Sequence, residues 1–140
     1  MPLPFTEAQV AVVQAIAADA PGPNWERLVA DIEIDEDAEH YHFNTVALAV
    51  MRAPDGSLTD PSFSVSIPAR DAVAELYRSR KASGQEPFGG FQLRVDRDGT
   101  YRFDFEYGPP KRMNGVWDDA KEKMLDNYLE HYRKELAGRG

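Results

Sequence analysis

Several groups of side chains in this 140-residue chain have the types and spacing that chemistry needs. The segment "EDAEHYH", residues 36–42, sets His40 and His42 two apart, so a strand would point both rings one way, near Asp37 and Glu39. Imidazole with carboxylate suits a divalent metal. The third histidine, His131, stands far along the chain, and a His/acid mixture in a turn arises readily in so acidic a sequence, so no metal site is expected. Asp104 and Glu106 would stand roughly 7 Å apart on one strand face, a separation that glycosidases use. Nothing beside them would desolvate either carboxyl and raise its pKa, as a catalytic acid requires. Ser62, Ser64 and Ser66 alternate along a strand-like run, with no Gly-x-Ser-x-Gly elbow anywhere. Cysteine is absent, which removes thiolate nucleophiles, disulfides and Cys-based metal sites together. The glycines of "GQEPFGG" match no phosphate-binding fingerprint and read instead as a tight helix-to-strand loop. The expectation is a protein with no catalytic residue, no cofactor and no metal.

Charge points elsewhere. The formal net charge is −8, against nucleic acid or an anionic membrane as a direct ligand, since phosphate binding needs a basic footprint. Lys111 and Arg112 form only a small basic spot. Asp31, Glu33, Asp35, Glu36, Asp37 and Glu39 crowd the end of one expected hairpin. Such crowding costs stability through self-repulsion. It reads either as a solvated turn or as the complement of a basic protein partner. A second polar surface carries Gln92, Arg94 and Asp96 beside Arg102, Asp104 and Glu106. It too is either a solvated face with ordinary ion pairs or a contact surface. The candidate partner-binding residues are therefore Asp35, Glu36, Asp37, Glu39, Arg94, Arg102, Asp104 and Glu106.

These side chains need a scaffold, and 42% hydrophobic residues suffice to build a core for one domain spanning 1–140. Thr6 with Gln9 predicts a capping box, and Phe5 with Val10 a hydrophobic staple, at the head of a first helix that Pro21 and Gly22 end. Leu28, Ala30, Ile32 and Ile34 alternate with Val29, Asp31 and Glu33 in a half-buried strand near 26–35. A second strand runs from Tyr41 to about Met51, its "TVALAVM" half apolar on both faces and so expected as a central strand covered on both sides. Phe63, Val65 and Ile67 predict a third strand, and Pro68 the first residue of a second helix that Gly84 stops. "FQLRVD" and "TYRFDFEY" are two more strands, and one long helix follows from about Asp118 to Ala137, with 138–140 frayed. The class is α+β: a mainly antiparallel sheet of about five strands, ordered α-β-β-β-α-β-β-α. No stretch is long and apolar enough for a membrane span, and no secretory leader is expected from "MPLPFTEAQV".

The aromatic row Tyr101, Phe103, Phe105, Tyr107 raises the question of stacking platform or core. Opposed residues in an antiparallel pair share a face. A two-residue Asp98-Gly99 turn would set Val95 against Arg102, apolar against charged throughout. A three-residue loop, Arg97-Asp98-Gly99, instead sets Val95 against Tyr101, Leu93 against Phe103 and Phe91 against Phe105. That register makes the rings core.

From Leu76 onward, "ELYRSRKASGQEPFGGFQLRVDRDGTYRFDFEYGPP" resembles the YezG-like immunity proteins: a helix with Leu-Tyr-x-x-Arg, a strand, Asp-Gly, and an aromatic-alternating strand ending Phe-Glu-Tyr. With the first helix, the Trp25 region and the last helix, the likeness extends over most of the chain. It departs at Phe88 and Phe91, where the family commonly has a Trp, and at Gly108-Pro109-Pro110, where it has an acidic residue. The resemblance implies a small cytoplasmic, non-enzymatic protein that binds and neutralises a cognate toxin domain, often a nuclease. It carries over no catalytic residue. The alternatives are a general interaction domain, such as a homodimer using the sheet or last helix, and a small enzyme with a carboxylate site.

Overall fold

A computed structural model describes residues 4–139. Its elements are α1 (Phe5–Ala18), β1 (Trp25–Glu36), β2 (Tyr41–Arg52), β3 (Leu58–Thr59), α2 (Ile67–Ala82), β4 (Phe88–Asp96), β5 (Tyr101–Tyr107), a 3₁₀ turn at Arg112–Asn114, α3 (Asp119–Asp126) and α4 (Tyr128–Arg139). The five strands form one antiparallel sheet in the order β3-β2-β1-β4-β5, an α+β fold as the patterning predicts.

Strand parity sorts the side chains into two layers. Leu28, Ala30, Ile32 and Ile34 of β1 join Phe91, Leu93 and Val95 of β4 beneath α1 and α2. Each such fully buried side chain contributes about 1.5–3 kcal/mol. On the other face Val29, Leu48 and Val50 pack against Leu125, Tyr128 and Tyr132 of the last two helices. The β4–β5 hairpin has the expected register, Phe91 opposite Phe105, Leu93 opposite Phe103 and Val95 opposite Tyr101. Gly99 closes its three-residue loop at φ +93°, a conformation glycine adopts without strain. Phe103 and Phe105 stack 5.4 Å apart inside the layer, while Tyr101 and Tyr107 at the row's ends are 38% and 49% exposed.

Five local expectations are corrected. The capping box at Thr6 and Gln9 is absent: α1 begins at Phe5 behind Pro4, without a side-chain cap, and Val10 of the expected staple faces solvent. The buried stripe is Ala8, Val12 and Ile16, and this facing decides the helix's rotation. β1 is buried from Arg27 through Ile34 rather than half-buried, because helices cover both sheet faces; β2, between β3 and β1, is buried on both faces from Ala47 to Val50 as expected. The third strand is Leu58–Thr59, not 63–67; the Phe63 region makes an isolated bridge to β2, Leu48 opposite Ser62, through Ala49 N–H to Pro61 O (3.0 Å) and Phe63 N–H to Ala47 O (3.0 Å). Ser66 there caps α2 by accepting from Ala69 N–H (3.3 Å), which makes Pro68 the second helical residue. The last helix is two helices broken at Asn127, whose backbone leaves the helical region (φ −121°, ψ 34°) and whose Nδ2 donates to Lys123 O (3.2 Å) beside its own backbone N–H (3.1 Å). Of the tail expected to fray, Gly138 and Arg139 fall within α4 and Gly140 lies outside the described residues.

Candidate functional site

Asp31 and Glu33 belong to the β1 parity that faces α3 and α4, and both are buried. Their neutralisation comes from the far end of the chain. Arg112 Nη1 donates to Asp31 Oδ1 (2.6 Å) and its Nε to Glu122 Oε1 (2.6 Å). Lys121 Nζ bridges Asp31 (3.0 Å) and Glu106 (2.9 Å). Glu33 accepts the backbone N–H groups of Arg112 (2.9 Å) and Met113 (3.1 Å), tying down the 3₁₀ turn. A second cluster holds fully buried Arg27 between Asp96 (2.6 Å) and Glu135 (2.7 Å), with its guanidinium 4.9 Å from the Tyr132 ring centre. Burial opposes the charge of Arg27, Arg112 and Lys121, but their carboxylate bonds outweigh it and hold all three pKa values above the ordinary range. These cations are paired with carboxylates inside the molecule, with Arg112 Nη2 the atom left without a partner among the described residues, and the pairing marks them as scaffold.

Asp31 and Glu33, which sequence alone places in the acid cluster at the hairpin end, are interior, and Arg112, expected in a small basic spot, is 9% exposed. Arg27, Lys121 and Glu122 escape the sequence reading altogether. The available signal was parity: Arg27, Val29, Asp31 and Glu33 alternate with Leu28, Ala30, Ile32 and Ile34 and so share the opposite face of the strand, which α3 and α4 cover.

What remains of the acid cluster is the β1–β2 turn. Asp35, Asp37 and Glu39 are exposed and Glu36 is half-buried. Glu36 accepts from Lys81 Nζ and, at 3.4 Å, from the Tyr77 hydroxyl. Asp37 organises the turn, accepting the N–H groups of Glu39 and His40 (2.8 Å each) and binding His42 Nε2 at 2.7 Å. The His42 bond, with the two amides, holds the Asp37 carboxyl well below the usual range. Among the described residues no lysine or arginine pairs with Asp35, Asp37 or Glu39. Nor does any group of three or more His, Asp or Glu side chains among them converge as a metal site would.

The other expected residues lie apart from the turn. Arg94, Arg102 and Asp104 line a groove of about 80 Å³ with Tyr128 and His131. It adjoins a second hollow of about 380 Å³ between β5 and α3, lined by Asp104, Glu106 and Lys121. Arg94 already contacts Asp96 (3.7 Å) and Glu135 (3.6 Å), and Glu106 is held by Lys121. Arg102 and Asp104 pair with each other at 3.1 Å, with side chains 66% and 58% exposed. Arg102 stands opposite Arg94, and Arg94 opposite Val29, six residues along β1 from Asp35. Six residues of strand span roughly 20 Å, so the turn and the groove are separate surfaces. No described helix is long and apolar enough to cross a membrane. No family model matches the chain, and a comparison with curated proteins finds no match.

Proposed function

We propose that this is a non-enzymatic immunity protein that acts in the cytoplasm by occupying the cationic cleft of a toxin domain, with the Asp35–Glu39 turn as the contact. The observation that carries this reading is the contrast within one strand. Asp31 and Glu33 are buried with internal partners, whereas Asp35, Asp37 and Glu39, just beyond them, protrude without a lysine or arginine of their own. Asp37 fixes the turn's shape through two backbone bonds, so the carboxylates are presented on an ordered loop. Pre-organised charge of this kind binds with little ordering cost. The net charge of −8 adds long-range attraction toward a basic partner. The likeness of the segment from Leu76 to Pro110 to YezG-like immunity proteins agrees with a partner of that kind.

The test is co-expression with the toxin-type domain encoded in the neighbouring reading frame. A complex should purify, and Asp35→Asn, Asp37→Asn and Glu39→Gln combined should weaken it at least about tenfold. The melting temperature of the free protein should shift little, because none of the three side chains is buried. Unchanged affinity would remove the turn from the interface. A neighbouring toxin domain that stays active and unbound would remove the immunity reading itself.

A further inference from the structure

The two edges of the sheet are guarded very differently. β3 is two residues long, one of the usual ways to blunt an edge. β5 runs seven residues with no proline, no lysine and no break, and the one irregularity in its pairing falls on β4 at Gly89. The direction of its free backbone groups follows from the ladder. Asp96 N–H donates to Thr100 O (2.8 Å), making that pair hydrogen-bonded, and such pairs alternate along an antiparallel ladder. Arg94–Arg102 and Gln92–Asp104 therefore belong to the bonded class. Tyr101, Phe103 and Phe105 turn their N–H and C=O groups away from β4. The β1 side of β4 agrees: Arg97 N–H donates to Glu26 O (3.0 Å), which makes Leu28–Val95 and Ala30–Leu93 the bonded pairs there. β5 is the last strand in the sheet, and among the described residues no element takes up those outward groups.

We propose that the occupant of this edge is a second copy of the chain, paired antiparallel through β5 about a twofold axis at Phe103. Only a twofold through an odd-numbered residue or its even-numbered neighbour brings outward groups against outward groups, and charge chooses among these registers. With the axis at Phe103, Tyr101 faces Phe105 of the second copy, and Arg102 faces Asp104 of the second copy on both sides of the axis. With the axis at Asp104, that carboxylate faces itself. With it at Arg102, two guanidinium groups meet, and with it at Phe105, Asp104 meets Glu106. The Phe103 register alone has opposite charges at every charged pair across the axis. Directly opposed side chains across antiparallel strands stabilise or destabilise according to sign. The exchange is isologous, so each favourable contact occurs twice. Arg102 and Asp104 are also the two most exposed of the charged groups on this face, free to change partner from one another to the second copy.

The experiment is sedimentation velocity with light scattering on the full chain at about 100 μM. The wild type should run at twice the chain mass of 15.7 kDa. Arg102→Asp alone sets carboxylate against carboxylate, and Asp104→Arg alone sets guanidinium against guanidinium. Each should weaken the dimer about tenfold or more. The double variant R102D/D104R restores opposite charges at both 102–104 pairs of the Phe103 register, so it should dimerise again. The two single variants mixed should form a heterodimer. Circular dichroism establishes that each variant is folded, which the exposure of both side chains favours. A monomeric wild type, a dimer indifferent to the single charge changes, or a double variant that stays monomeric would each overturn the proposal. Such a failure would leave the reading of the Asp35–Glu39 turn untouched, since the two surfaces share no residue.

Discussion

Asp31 illustrates how far a single carboxylate's role is set by residues remote in sequence. Its oxygens meet Arg112 and Lys121, and its side chain is 1% exposed. Asp31→Ala would take the one buried carboxylate from Arg112 and Lys121 and leave them only Glu122 and Glu106, and breaking a buried pair from one side costs about 3–5 kcal/mol. Urea unfolding should report a loss of that size, and a loss below about 1 kcal/mol would mean the cations find water instead. Tyr132 gives a pH signature. Burial, and then its hydrogen bond to Glu26 Oε1 (2.9 Å), push the phenol from 10.0 up to about 12. The folded state therefore prefers the neutral phenol. That contribution is whole below pH 10 and is lost as pH rises from about 10 to about 12. The stability difference between wild type and Tyr132→Phe should shrink across that window; a constant difference would contradict the assignment. None of this was readable residue by residue. Charge type predicts exposure on average, and the cations that reverse it for Asp31 lie 81 and 90 positions away.

At the scale of elements, what the sequence disclosed followed the strength of local periodicity. The β4–β5 hairpin was legible down to its register because parity and loop length constrain each other. The start of α1 was not, because the capping signal at Thr6 yielded to the rotation that buries Ala8, Val12 and Ile16. The serine row at 62–66 mimics a strand, yet its last member is a helix cap. Ser66→Ala should lower stability by about 1 kcal/mol, read as a reduced urea midpoint. The two glycines of β4, whose sequence context reads as a loop, permit close backbone approach within a strand. A Cβ at Gly89 would meet the Gly108 carbonyl oxygen at 2.1 Å. Gly89→Ala should therefore cost about 1–3 kcal/mol or more and loosen the Gly108–Pro110 segment. Gly138, with nothing within 4 Å, should accept alanine without loss. Equal melting temperatures for the two alanine variants would refute the contact at Gly89.

The whole molecule is built of two unequal halves around the sheet. The side under α1 and α2 is a continuous apolar core, while the side under α3 and α4 combines a smaller apolar cluster with the charge clusters around Asp31 and Arg27. Structure with fewer buried apolar contacts opens at lower free energy. Amides of α3 and α4 should accordingly exchange with solvent before those of β1 and β4. Uniform protection across both layers would show one cooperative unit instead. The net charge of −8 also sets the kinetics of any encounter with a basic partner. Raising salt from about 50 to 500 mM should slow association about tenfold or more while changing dissociation little.

The distance along the chain between Asp31 and its cations has a consequence for the order of events during synthesis. β1 leaves the ribosome with two carboxylates that belong inside the protein, and Arg112 and Lys121 are made only after more than half of the remaining chain. Until they arrive, the central strand must keep one face hydrated. The first five elements can dock α1 and α2 on one side, but the other side is sealed only by residues from Arg112 onward. The protein thereby carries its own check on completeness, because a chain truncated before Arg112 would hold bare acid at the centre of its sheet.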